Sequence, residues 1–196
     1  MTNQITGTEK HDRRQEIVQA AFEVLSAKGM ERASIKEIAL RARVAPGLVH
    51  YYFKDKEELV AAVVREVSTQ FADTMRKLRE ATPARNFPDA VLSPVRDRVR
   101  ELPGQYRTRF DLYAAGLRNR VLLRELRAML LEARNGISES LRQYYGADHA
   151  AVDVASLASV LFAAFDGLAL QYLVDPDFDL DAAYAALSAM LKGLHI

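Results

Sequence analysis

The chain has 196 residues, a net charge of +1 and no cysteine, which excludes disulfides and thiolate metal sites. That length holds one helical domain with a small appendage, or two small domains. The near-zero charge points by itself to neither nucleic acid nor an acidic partner, and the polar opening, MTNQITGTEKHDRR, lacks the apolar core of a signal peptide, so a cytoplasmic protein is expected.

Helix follows helix, with no convincing strand, low-complexity tract or internal repeat. The first helix is predicted from about Arg13 to Lys28, ended by Gly29, with Ile17, Ala20, Ala21, Val24 and Leu25 as its apolar stripe. Two short helices follow, near 34–42 and 46–52. Ser34 with Glu37 reads as a capping box for the first, and Ile35, Ile38 and Ala39 give it a buried side. Pro46 suits the first turn of the second, where its missing N–H is not needed. Asp55 with Glu58 reads as another capping box that starts a long helix. Two short helices, a tight turn and a third helix form a helix-turn-helix, so DNA is the leading partner.

The second short helix has two faces. Val49, Tyr52 and Phe53 stand at i, i+3 and i+4 and with Val44 point inward. Gly47, His50, Tyr51 and Lys54 occupy the opposite face. His50 suits base edges or phosphates, Tyr51 a phosphate or sugar, and Leu48 a thymine methyl, while Gly47 lets the backbone approach closely. Lys54 and Lys56 suit phosphates, and Ser34, Lys36 and nearby amides form a second phosphate clamp. Residues 1–60 hold ten Lys or Arg against nine acids, so phosphate contact depends on the placement of a few cations and not on a general basic surface.

On these residues, the region from about Arg14 to Val64 resembles the DNA-binding domain of the TetR repressor family. The carrying stretches are AAFEVLSAKGMERASIKEIA and VAPGLVHYYFKDKEELVAAV. The resemblance implies DNA contacts at Lys36, Pro46, Gly47, Leu48, His50, Tyr51, Lys54 and Lys56, with Ser34 as the capping, phosphate-binding hydroxyl. Three positions depart from the family pattern. Arg43 stands at the usual turn glycine, Ala45 at the usual Ser or Thr cap, and Leu48 at a common Thr or Ser.

The long helix is predicted over Lys56–Ala81, stopped by Pro83, with residues 82–88 as a connection. Pro94 begins or interrupts a fifth helix, and Pro103-Gly104 breaks the chain again. Helices near 105–118, 120–145 and 149–174 follow, with Gly146 and Asp175-Pro176 as punctuation, and Asp179 caps a last helix through about Gly193. The predicted fold is all-α with about nine helices. Its expected parts are a helix-turn-helix domain over 1–55, a connecting helix over 56–81, and an effector-binding and dimerisation domain over 82–196. Pro94–Arg134 carries ten Arg against five acids, and Gly136–Leu191 one Arg against eight acids.

Within VASLASVLFAAFDGLALQYLV, residues 154–174, Asp166 is the only charged side chain. The length would span a bilayer, but a mid-span Asp costs roughly 2.5–3.5 kcal/mol there and both flanks are acidic. A helix apolar all round is otherwise covered by protein on more than one side. Ala155, Ser159, Ala163 and Gly167 permit close approach of a second copy, and Ala183, Tyr184, Leu187, Met190, Leu191 and Leu194 offer a matching stripe. In the resembling family the last two helices form the dimer interface. There, too, a small effector bound by the C-terminal domain moves the fourth helix and changes the spacing of the DNA-reading heads. The candidate effector lining here is Phe110, Tyr113, Leu117, Leu126, Met129, Phe162, Phe165, Asp166 and Tyr172. Aromatic and methionine side chains at this spacing also fill ordinary cores.

No Gly-rich phosphate loop, GxSxG or HExxH occurs. His11, His50, His149 and His195 are scattered without ligand spacing, so no metal, cofactor or enzymatic activity is expected. Two readings remain. One is a dimeric, effector-responsive transcription regulator, a repressor by family likeness, cytoplasmic and on the bacterial nucleoid when DNA-bound. The other is a helical small-molecule-binding or interaction protein whose helix-turn-helix no longer binds DNA. Lys36, His50, Tyr51 and Lys54 together favour the regulator.

Overall fold

The computed structural model describes residues 7–82, 89–145 and 153–194. Among them nine α-helices form, and no strand: α1 (Gly7–Arg32), α2 (Ile35–Arg41), α3 (Pro46–Tyr52), α4 (Lys56–Ala81), α5 (Asp89–Glu101), α6 (Pro103–Gly116), α7 (Arg120–Tyr145), α8 (Val154–Val174) and α9 (Leu180–Gly193). The all-α expectation holds, and α4 has the predicted bounds. The eighth helix starts at Val154 behind the extended cap Asp153, later than the expected 149. The Gly146 break, the connection beyond Thr82, His149 and His195 lie outside the described residues.

Local chemistry sets the helix ends. Gly29 interrupts α1 with φ 77 and ψ 168, and a Cβ there would stand 3.1 Å from Asp111 Oδ2. The backbone conformation therefore demands glycine at this kink, while the Asp111 carboxylate would have to yield only by a few tenths of an ångström. Of the two places expected for Pro94, at the start of α5 or within it, the structure has it within the helix. The chain breaks at Leu102 as expected, and Pro103 opens α6, using the first-turn position that tolerates its missing donor. Asp153 and Asp179 cap α8 and α9, accepting the N–H groups of Ala155 at 3.1 Å and Ala182 at 2.9 Å.

The described chain forms two compact units, Met1–Val67 with Arg107–Ala128, and Ser68–Tyr106 with Met129–Ile196. These divide the chain elsewhere than residues 55/56 and 81/82. In the first unit α1, α2 and α3 pack around Ile17, Leu25, Ile38, Val49, Phe53 and Val63, all buried. The C-terminal end of α1 meets α6, where Thr108 Oγ1 donates to Ser26 Oγ at 3.0 Å, and Arg65 of α4 pairs with Glu125 of α7. In the second unit α5 packs on α9 and α8, burying Leu92, Val95 and Val99 with Leu161, Leu180, Tyr184, Leu187 and Leu191.

Candidate nucleic-acid interface

The helix-turn-helix is built from its caps outward. Glu37 N–H donates to Ser34 Oγ at 3.2 Å, and Glu37 Oε2 accepts from the Ser34 N–H at 3.2 Å and the Ser34 hydroxyl at 3.0 Å. The expected capping box is complete, and the Ser34 hydroxyl hydrogen is committed to it. Glu37 Oε1 holds Lys28 of α1. That ammonium, with Ser34, keeps the Glu37 carboxyl below the usual range.

The turn at 42–45 closes through bonds from Arg43 N–H to Leu40 O and Val44 N–H to Ala39 O. Arg43 is the positive-φ non-glycine among the described residues, at φ 57. A left-handed residue with a Cβ costs roughly 1–2 kcal/mol relative to glycine. Ala45 is the α3 N-cap and makes no side-chain cap bond, as its chemistry dictates.

The faces of α3 separate as the spacing predicts. Val49 and Phe53 are buried, and Tyr52 is half-buried. The Arg14 guanidinium lies 4.9 Å above the Phe53 ring, so α1 holds the inner side of α3. Pro46, Gly47, His50, Tyr51 and Lys54 are exposed, and Leu48 is half-buried. Tyr51 is 64% exposed and stands edge-on to Tyr52, centroids 5.1 Å apart. This presents an imidazole, a phenol and an ammonium on one side of a short helix. After α3, Glu58 N–H donates to Asp55 Oδ1 at 2.9 Å, while Glu58 Oε2 takes the Lys54 N–H at 2.8 Å. The second box thus reaches one residue further back than its usual form.

Cations here divide into tied and untied. Arg13 pairs with Glu16, Lys28 with Glu37 and Arg41 with Glu23. Lys56 Nζ donates to Met30 O at 2.5 Å, tying α4 to the end of α1. Its spacing suggested a phosphate contact; this bond uses one of the three ammonium donors and draws the side chain toward α1. The side chains of Arg32, Lys36, Arg43 and Lys54 are exposed and pair with no described residue. The roles of Arg14 and Lys28 were not visible in the sequence, because both depend on how α1 lies against α2 and α3.

The other candidate residues fall in both units. Phe110, Tyr113, Leu117 and Leu126 belong to the first unit; Met129, Phe162, Phe165, Asp166 and Tyr172 belong to the second. Leu117 is 78% exposed at the end of α6, too open to line a cavity within its unit, and Leu126 is buried against Gly116. Phe162, Phe165, Asp166 and Tyr172 are half-buried along one side of α8, and Phe165 stacks on Tyr184 at 6.3 Å. Of the α9 residues expected to meet a second copy, Tyr184, Leu187 and Leu191 are instead buried in their own unit. An alanine-rich helix carries two apolar stripes; the bulky one packs inward and leaves Ala182, Ala185, Ala186, Ala189 and Met190 exposed. On α8, Ala155 and Ala163 are exposed, Ser159 and Gly167 half-buried, beside exposed Val160, Leu170 and Val174.

Comparison with known proteins bears on these faces. Residues 17–63 match bacterial regulatory proteins of the tetR family, and residues 88–195 match the C-terminal region of BetI-type transcriptional repressors. The HTH-type transcriptional regulator BetI of Escherichia coli O139:H28 is 35% identical over 71 residues, 36% of each chain. The chain thus aligns with about a third of the length of that curated relative. A candidate transcriptional regulator of Pseudomonas aeruginosa PAO1 has the same fold, with a TM-score of 0.80 and 23% identity over 98% of this chain and 94% of that one. A protein of Saccharomonospora viridis solved with choline gives a TM-score of 0.77 and 17% identity, covering 94% of this chain and 97% of that one.

Proposed function

Because this chain belongs to the tetR family of bacterial regulatory proteins, with a C-terminal region of the BetI type, we propose that it binds double-stranded operator DNA as a homodimer and represses transcription until a small molecule releases it. Its family is one of regulators and not of enzymes. The carrying observation is the outer face of α3, where His50, Tyr51 and Lys54 are exposed while Val49 and Phe53 anchor the other side. Lys36 and Lys54, untied at the start of α2 and past the end of α3, supply phosphate contacts. Tyr51 adds a phosphate or sugar contact, and His50 reads a base edge. Pro46, Gly47 and Leu48 line the approach. Ser34 serves through its cap, and Lys56 holds α4 to α1. The protein works in the cytoplasm, on the nucleoid when bound.

The homodimer is supported by α8, a 21-residue apolar helix of which Ala158, Leu161 and Ala169 are buried. Val160, Ala163, Gly167, Leu170 and Val174 recur at helical spacing on its open side and, with the exposed alanines of α9, suit close helix packing.

The effector we propose is a small organic cation of the choline type. Support comes from the choline-bound structural neighbour and from α8 itself. Phe162, Phe165 and Tyr172 share one side of the helix with Asp166, a set of side chains that suits a quaternary ammonium. Met129 belongs to the same unit.

The test is fluorescence anisotropy with DNA from upstream of the protein's own coding region and a random duplex, at two salt concentrations. Saturable binding tighter than the control by about 10³-fold or more is expected for a specific regulator. Equal, weak, salt-sensitive binding to both duplexes would support the reading in which the helix-turn-helix has lost its operator. Choline added to the complex should lower the anisotropy and raise the thermal midpoint of the free protein. An equal response of the Asp166→Asn protein would remove the cation assignment.

A further inference from the structure

We infer that Arg43, the left-handed residue of the turn between α2 and α3, is a DNA-phosphate contact of this protein. The inference rests on the DNA-binding reading above and assigns a residue that the motif does not supply. Three observations converge on it. The backbone at Arg43 has φ 57, a conformation glycine adopts without strain and arginine does not. The side chain is exposed and pairs with no acid among the described residues, although Arg13, Lys28 and Arg41 nearby are all paired. Its position is also telling: Arg43 stands three residues before the first residue of α3, and Lys54 two residues after the last.

The geometry gives these two cations a shared task. Seven residues of helix span roughly 10 Å, and the major groove is about 12 Å wide. A helix of that length seated in the groove brings its two ends toward the phosphates of the two facing strands. Lys54 serves one end. At the other end Ala45 has no polar side chain and Pro46 no N–H, so the cation within reach is Arg43. The expected phosphate contact of Lys56 meanwhile competes with its bond to Met30. In a region with ten cations against nine acids, one further untied guanidinium is a substantial share of the available attraction.

The test separates fold from binding because the two should move in opposite directions. A duplex is first selected from a random library by the full-length wild-type protein. Binding of Arg43→Gly, Arg43→Gln and Arg43→Lys to it is then measured across salt concentrations, alongside thermal unfolding. Arg43→Gly should unfold at a higher temperature than wild type, since the turn strain is gone, yet bind about eightfold more weakly near 0.1 M salt. The slope of log affinity against log salt should fall by about 0.9, the release from one phosphate. Arg43→Gln should lose the same slope while keeping the strain, and Arg43→Lys should restore it. Wild-type affinity and slope in Arg43→Gly, or a slope in Arg43→Lys no better than in Arg43→Gln, would overturn the inference and leave the regulator reading intact. A wild-type protein that enriches no duplex would remove both.

Discussion

His50 and Tyr52 lie two positions apart on a seven-residue helix and have opposite surroundings. His50 is exposed, with both ring nitrogens available to a base edge. Replacing it by alanine should relax base preference at one position per half-site, with a cost of roughly 1–3 kcal/mol. Equal losses on specific and random duplexes would contradict base reading. Lys54→Ala should weaken binding to all sequences alike and lower the salt slope by about one. The Tyr52 hydroxyl is buried and hydrogen-bonds to no described residue. An unsatisfied buried hydroxyl costs about 1–3 kcal/mol, so Tyr52→Phe should leave stability unchanged or raise it in urea unfolding. A clear loss would show that the hydroxyl is satisfied in solution. The sequence distinguished these residues because helical periodicity sorts inner from outer positions. It could not distinguish Lys54 from Lys56. Both are lysines beside one helix, and only the position of the Met30 carbonyl decides that Lys56 turns inward.

Helices α5 and α9 are held together by charge at both ends as well as by their apolar stripes. Asp89, at the start of α5, takes Ser188 Oγ and Lys192 Nζ at 2.5 Å each. Asp181, at the start of α9, takes Arg100 at 2.6 Å and Arg96 at 3.2 Å. Lys192, then Ser188, hold the Asp89 carboxyl below its ordinary range, and Arg100 does the same for Asp181. A carboxyl whose folded pKa lies below its unfolded one contributes stability that is complete above the unfolded value, about 3.9. That contribution is lost as pH falls through the lowered folded value. Asp89→Asn should therefore cost stability at pH 7, by less than about 1 kcal/mol because the pair is exposed. The difference from wild type should vanish as the medium is taken below pH 4. A gap that stays constant with pH would assign the loss to packing. None of these partners was legible from spacing, since Asp89 and Lys192 lie 103 residues apart. The helices themselves were legible, because each carries its own periodicity, cap or proline. Pro94 alone did not decide between starting α5 and lying within it.

For the whole molecule the open side of α8 matters most. The sequence marked this helix as apolar all round, and the structure covers only part of it with the chain's own residues. Val160 and Val174 remain 64% and 74% exposed, and Met190 of α9 is 68% exposed. Periodicity could not tell which stripe of α9 faces inward, because alanines and bulky residues are both apolar. The structure resolves this by burying Tyr184, Leu187 and Leu191, so the interface we propose uses small side chains on α9 against the α8 stripe. Gly167 lies in the middle of that stripe, and a Cβ built there meets nothing within 4 Å. Gly167→Arg therefore has space in the isolated chain, and it favours the helix by somewhat less than the about 0.8–1 kcal/mol that separates glycine from alanine. If a second copy packs on this face, the arginine places an uncompensated charge in an apolar contact, which is strongly unfavourable. Light scattering should then show a monomer with intact helical circular dichroism. Its affinity for a two-half-site duplex should fall towards that for a single half-site, because two recognition helices no longer arrive together. A dimer that survives Gly167→Arg would place the second copy elsewhere, and the α8 stripe would need another protein surface to cover it.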